Sequence, residues 1–202
     1  QVSINSDSAA IGSPGSYAVT SGPLGTGTIT LNGGIIRPGG VSGDRTLHNA
    51  VQIGGNVQAG NLSTQKMIFA GDVSLSATNP TLTMSVANTA NTTTTAAIFA
   101  GAIGGGSNGI TLTNVTLSHN PTAVVVFGNG AADNRANTYT GLTQVAGPFT
   151  QLQLNKAAGT NALAGDVAVA WGTVKLMQSD QIAARATATV SSGTFDLNGN
   201  QE

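Results

Sequence analysis

The tetrapeptide Ile68-Phe69-Ala70-Gly71 returns thirty residues later as Ile98-Phe99-Ala100-Gly101, and Phe127 of Val126-Phe127-Gly128 follows Phe99 by a further twenty-eight. Between them Thr81-Leu82-Thr83-Met84-Ser85-Val86 and Ile110-Thr111-Leu112-Thr113-Asn114-Val115 keep the same phase, with Thr81 and Thr111 again thirty apart. Each unit holds two or three short runs in which apolar and polar residues alternate, separated by Gly, Asn and Pro. Alternation with period two marks half-buried strands. A unit of this size cannot bury its apolar side alone, but it can when stacked on its neighbours. The expected fold is therefore all-β, a parallel β-solenoid of about seven coils of ~30 residues over 1–202. Residues 1–26 are weakly patterned and read as an irregular coil or cap, with regular coils over 27–202. Ser179–Ala184 is the one stretch with helical character, and it is too short to outweigh the flanking strands; it reads as a corner excursion.

Composition supports this reading. Charged residues make up only 7% of the chain, whereas Gly alone supplies 28 residues and the apolar fraction is 40%. Val, Ile and Leu at that level separate the chain from a disordered Gly/Ser/Thr linker, which could not bury enough surface to offset ordering entropy. Seven basic and eight acidic residues, scattered along the sequence, leave a formal charge of −1. No basic patch is available for nucleic acid. No apolar run approaches the ~18 residues of a membrane-spanning helix, so the chain is not expected to be membrane-embedded. There are no cysteines, which excludes disulfides and thiolate metal sites. Low charge with abundant Thr, Asn and Gly fits an extracellular setting better than a cytosolic one. Gln1-Val2-Ser3-Ile4 carries no leader pattern and reads as the start of a mature protein or of a segment from a longer one.

A third stretch, Asn137-Thr138-Tyr139-Thr140-Gly141-Leu142-Thr143-Gln144-Val145, continues the order begun at Ala97–Gly105 and Gly109–Leu112. Downstream come Leu152-Gln153-Leu154-Asn155-Lys156, Asn161–Val167 and Gly193–Gly199. Together these resemble the autotransporter-associated β-strand repeat of type V secretion passenger domains, over roughly residues 47–200. The resemblance implies a right-handed parallel β-helix that is secreted or held at the cell surface. Two positions depart from the family's pattern. Ala146-Gly147-Pro148-Phe149-Thr150 stands where the family usually has an Ala-Gly-Thr-Leu turn, and Trp171-Gly172 replaces a Gly-Gly pair.

Enzymatic chemistry on a β-helix would need two or three carboxylates converging on one face. The acids are Asp7, Asp44, Asp72, Asp133, Asp166, Asp180, Asp196 and Glu202. Asp72 and Asp166 each follow a Gly, Asp133 lies in a Gly/Asn loop, and Asp133 and Asp166 are 33 residues apart, near one coil. They read as corner caps, with a corner calcium at Asp44, Asp72 or Asp166 as the alternative. His48 and His119 each sit alone in a turn without a partner at ligand spacing. No Gly-x-Ser-x-Gly elbow accompanies the serines. The Thr-x-Thr units (Thr28/Thr30, Thr81/Thr83, Thr111/Thr113, Thr187/Thr189) place hydroxyls outward, and only two units are in phase. Tyr139 reads as a corner-packing residue. Trp171 ends the alternation Val167, Val169, Trp171, whose parity places it inside the stack or at its end.

The expectation is a non-enzymatic extracellular scaffold, with no catalytic, metal or cofactor site and no cofactor. Its partner would be a continuation of the chain or further copies of itself, stacked head to tail or side by side into a fibre. A carbohydrate-binding or polysaccharide-cleaving β-helix, engaging a surface glycan, is the remaining alternative.

Overall fold

The protein is described by a computed structural model covering residues 1–40, 43–60, 64–115 and 118–202. The expected regular coils over 27–202 include residues 41–42, 61–63 and 116–117, which lie outside the described residues.

Three parallel sheets form the solenoid, two along most of the stack and one confined to its first half, and the described residues contain no helix. Sheet 1 has eight strands, sheet 2 has four and sheet 3 has seven. The chain visits them in the order sheet 2, sheet 1, sheet 3, then steps up one strand. One such circuit is Val51–Ile53, Val57–Gly60 and Met67–Phe69; the next is Val73–Leu75, Thr81–Ser85 and Thr93–Phe99. This is a β-solenoid, as expected from the repeat. The seven strands of sheet 3 make six steps, so the chain completes about six turns rather than about seven, rising roughly 29 Å at ~4.8 Å per step.

The repeat predicts the registers. Ile68 pairs with Ile98 and Phe69 with Phe99 in sheet 3, while Thr81 pairs with Thr111 and Leu82 with Leu112 in sheet 1. Coil length, however, is not uniformly ~30. Successive partners in sheet 1 lie 23 residues apart at Ile35 and Gln58, 33 at Ile110 and Thr143, and 21 at Val167 and Ala188. The strands keep their phase and the corners absorb the difference, because a one-residue slip within a strand would turn its whole apolar set outward. A bulge shows the same constraint. Thr93 pairs with Thr122, an offset of 29, but beyond a register shift at Ala96 the offset is 28, from Ala97–Val125 to Phe99–Phe127. The extra residue keeps the phenylalanines aligned.

The inward residues form columns. Leu47, Phe69, Phe99, Phe127, Leu154 and Leu176 follow one another up sheet 3, all buried. The Phe69 and Phe99 rings stack with centroids 5.0 Å apart, and Phe99 meets Phe127 edge to face at 5.6 Å, both favourable aromatic geometries. Gly71 and Gly101, which close the repeated tetrapeptide, mark where backbones approach at the corner. A Cβ on Gly71 would lie 2.1 Å from the Asn49 carbonyl oxygen, and one on Gly101 would lie 2.1 Å from the Gly71 oxygen. Only glycine fits there.

At the start of the chain Val2–Ile4 joins sheet 1 beside Ile35–Pro38. An antiparallel hairpin, Ala9–Ile11 with Ala18–Ser21, then leaves the solenoid path and lies along the flank. Ser8 bonds Thr46 and His48, and the Gly15 turn sits against the Arg135 guanidinium.

Candidate functional surface

The carboxylates obey a simple positional rule. Asp44 immediately precedes a sheet 3 strand, Asp72 a sheet 2 strand and Asp166 a sheet 1 strand. Each accepts a hydrogen bond from the backbone N–H at the equivalent position one coil up: Lys66 to Asp44 at 3.1 Å, Ala102 to Asp72 at 3.1 Å, and Thr187 to Asp166 at 2.8 Å. Asp7 accepts from the Thr46 amide at 2.8 Å, and Glu202 accepts from the Gln181 and Ile182 amides at 3.0 and 2.8 Å. At a corner the chain turns away from its ladder and leaves N–H groups that need acceptors; a short carboxylate supplies one. Asp133 and Asp196 cap locally, toward Asn129 and Arg135 and toward Asn198. Asp180 instead provides left-handed backbone, with φ 54°. The acids are thus spread over all three corners; all but Asp180 accept from backbone N–H groups, and Asp72 and Asp133 come near one another through Arg135, whose guanidinium pairs with Asp72 and whose backbone N–H donates to Asp133.

The three residues considered for calcium therefore stand on three different corners. Asp44 also pairs with Lys66, and Asp72 with Arg135. Among the described residues no group of three or more His, Asp or Glu is placed to hold a metal ion. His48 Nδ1 lies 2.9 Å from the Ser8 carbonyl oxygen, and its ring meets Tyr17 edge to face at 4.7 Å; it ties the hairpin to the solenoid. His119 is exposed beside Ser118. The two histidines do not come together.

Asn137 and Tyr139 define a buried, hydrogen-bonded corner. Asn137 is buried; its side-chain oxygen accepts from the Ile103 amide at 2.8 Å and its side-chain amide donates to the Ala162 carbonyl at 2.7 Å. Tyr139 is fully buried, with its hydroxyl 2.6 Å from Thr143 Oγ1, and burial pushes the phenol well above its ordinary range despite that bond. The expected packing role of Tyr139 is what the structure shows. The threonines form a patch only two coils high, Thr81 and Thr83 beneath Thr111 and Thr113, and it runs out into Gln58 and Gln144. Thr30 lies on a different sheet.

Trp171 corrects the sequence reading. It is neither inside the stack nor at its end but projects from the corner between sheets 1 and 3, 56% exposed. The alternation stops at Val169, and Ala170–Gly172 form a turn, so strand parity no longer governs the position.

One group was not legible at all. Lys156 is fully buried, with its ammonium 3.0 Å from Asp133 Oδ2 and its backbone N–H donating to Gln181 Oε1 at 2.8 Å. Desolvation pulls its pKa down, and the bond to Asp133 opposes that. Asn155-Lys156 looks like any solvated strand end; only the long excursion of residues 128–136 folding back over it makes it interior.

The described residues include no helix long and apolar enough to cross a membrane. Compared with known proteins, the chain matches no family model, no curated protein and no solved structure.

Proposed function

We propose that the protein is a non-enzymatic, extracellular scaffold: a stiff β-solenoid segment of a bacterial surface or secreted protein. The observation that carries the reading is where the polar chemistry goes. Carboxylates at all three corners cap the backbone of the neighbouring coil, which is the use expected when acids serve the rod rather than a substrate. The resemblance of Asn137–Val145 and its flanks to the autotransporter-associated repeat supports the surface location, as does the low charge with abundant Thr, Asn and Gly. Such a rod works mechanically. Every coil is held to the next by parallel ladders on its sides and by an inward apolar column, so bending requires many bonds to yield together.

Assembly into a fibre is a second reading, favoured by the two ends of the stack. An open apolar hollow of about 250 Å³ lies among Val2, Leu24, Ile29, Leu31 and Ile36, and one of about 360 Å³ among Ile182, Ala183, Ala188 and Phe195. Further coils of a longer chain or a second copy would each fill them. Electron microscopy of purified protein tests both readings, together with antibody labelling of intact producing cells. Short uniform rods with surface label support the scaffold; filaments favour head-to-tail stacking; globular particles or label confined to the cell interior contradict both.

A further inference from the structure

We infer that the corner between sheets 1 and 3 carries an aromatic ledge, made by Phe149 and Trp171, that binds a neutral glycan. The two residues occupy the same corner in consecutive coils. Val145, Val169 and Val190 are register partners before the corner, and Gln151, Thr173 and Thr194 are partners after it. From Val145 to Gln151 the chain takes six steps, whereas Val169 to Thr173 and Val190 to Thr194 take four. The two additional residues push the Pro148–Phe149 turn outward. Trp171 lies on the same corner one coil up, its backbone N–H donating to the Val145 carbonyl at 3.1 Å.

Neither ring serves the core. Phe149 is 45% exposed and Trp171 56%. Among the described residues the ring–ring contacts involve Tyr17, His48, Phe69, Phe99 and Phe127, so these two faces are not spent on each other. Phe149 also holds a left-handed backbone, φ 57°, after a proline. Positive φ at a turn position is where Gly or Asn is the usual occupant. A bulky residue held in such a conformation and turned to solvent is a feature of functional sites.

The surroundings select the ligand. Segments 144–151, 168–174 and 191–194 contain no charged residue. They offer amides and hydroxyls instead, from Gln151, Thr173, Ser191 and Ser192. Apolar ring faces combined with a few uncharged hydrogen-bonding groups suit a ligand with apolar faces and hydroxyl edges. A pyranose has that form, and rings one coil apart would engage neighbouring sugars of a chain. This binding activity would be carried on the scaffold and does not depend on whether the rod is a stalk or a fibre.

Trp171 is the only tryptophan in the chain, so its emission reports on the ledge alone. The protein is titrated with cellohexaose, xylohexaose, mannohexaose and chitohexaose. At least one is expected to shift the emission to the blue and to protect Trp171 from acrylamide quenching. Phe149→Gly, which suits the left-handed turn and keeps the fold, is expected to weaken that sugar roughly tenfold, the loss of one good contact. Trp171→Ala is expected to abolish the heat of binding in calorimetry while the β circular-dichroism spectrum persists. Absence of any shift with all four sugars overturns the proposal, as does an unchanged affinity in Phe149→Gly. A blue shift that grows with protein concentration without sugar also overturns it, and assigns the ledge to contacts between protein chains.

Discussion

The side-chain oxygen of Asn137 lies 2.8 Å from the backbone nitrogen of Ile103, one coil below. Sheet 2 has its last strand at Ile103–Gly104, so above it no strand continues the ladder and a side chain takes over. The other end of the same amide reaches Ala162 in the coil above, at 2.7 Å, and one residue joins three successive coils. Asn137→Ala strands a buried N–H and a C=O, each worth about 1–3 kcal/mol. The expected loss is about 2–4 kcal/mol, read as a lower urea midpoint with an unchanged m-value. Asn137→Asp keeps the acceptor but loses the donor, and is also expected to destabilise.

Lys156 and Asp133 form a buried ion pair at 3.0 Å. Removing one partner of such a pair leaves an uncompensated charge and typically costs about 3–5 kcal/mol. Lys156→Met is expected to fall in that range by chemical denaturation. Adding Asp133→Asn removes the stranded charge, so the double variant is expected to be more stable than Lys156→Met alone.

Phe149 supplies a stability prediction of opposite sign. A left-handed conformation costs a non-glycine residue about 1–2 kcal/mol, against roughly 0.5–1 kcal/mol of additional chain entropy for glycine. Because the ring is largely exposed, little burial is lost. Phe149→Gly is expected to be neutral or up to about 1 kcal/mol more stable in a thermal melt, and Phe149→Val, with a branched side chain at positive φ, less stable than the parent.

Two carboxylates set a pH dependence. Burial pushes the Asp44 carboxyl up, but hydrogen bonds and charge from Lys66 outweigh it and hold the group below its ordinary value of 3.8. For Asp196 the Asn198 amide and then Lys175 lower it. Both groups hold their protons less tightly in the folded chain than in the unfolded one. Their contribution is therefore fully present above the ordinary carboxylate range and is lost as the pH falls through the depressed folded values. The melting temperature should stay level from pH 7 to about 5 and decline below about 4. Asp44→Asn should flatten part of that decline.

The sequence carried the period of the solenoid because its signal is written twice, in Ile68–Gly71 and Ile98–Gly101, and strand phase tolerates no slip. Coil length was harder to read, since corners such as 128–142 grow without disturbing the registers on either side. The acids were legible as corner caps because short acidic side chains beside Gly announce a turn. The burial of Lys156 was not, because it depends on residues 128–136 folding back over a strand end more than twenty positions away. Trp171 was misread because parity applies only while the chain remains a strand, and Ala170–Gly172 has left it.

Pulling single molecules from residue 1 and residue 202 tests the scaffold account most directly. A stack of coils held by parallel ladders should resist force and then unravel in discrete steps from its ends. Each step should release 21–33 residues, or roughly 70–115 Å of extended chain at about 3.3–3.6 Å per residue. Featureless extension at low force, or a single step releasing the whole chain, would contradict the claim that this protein is a rod built coil upon coil.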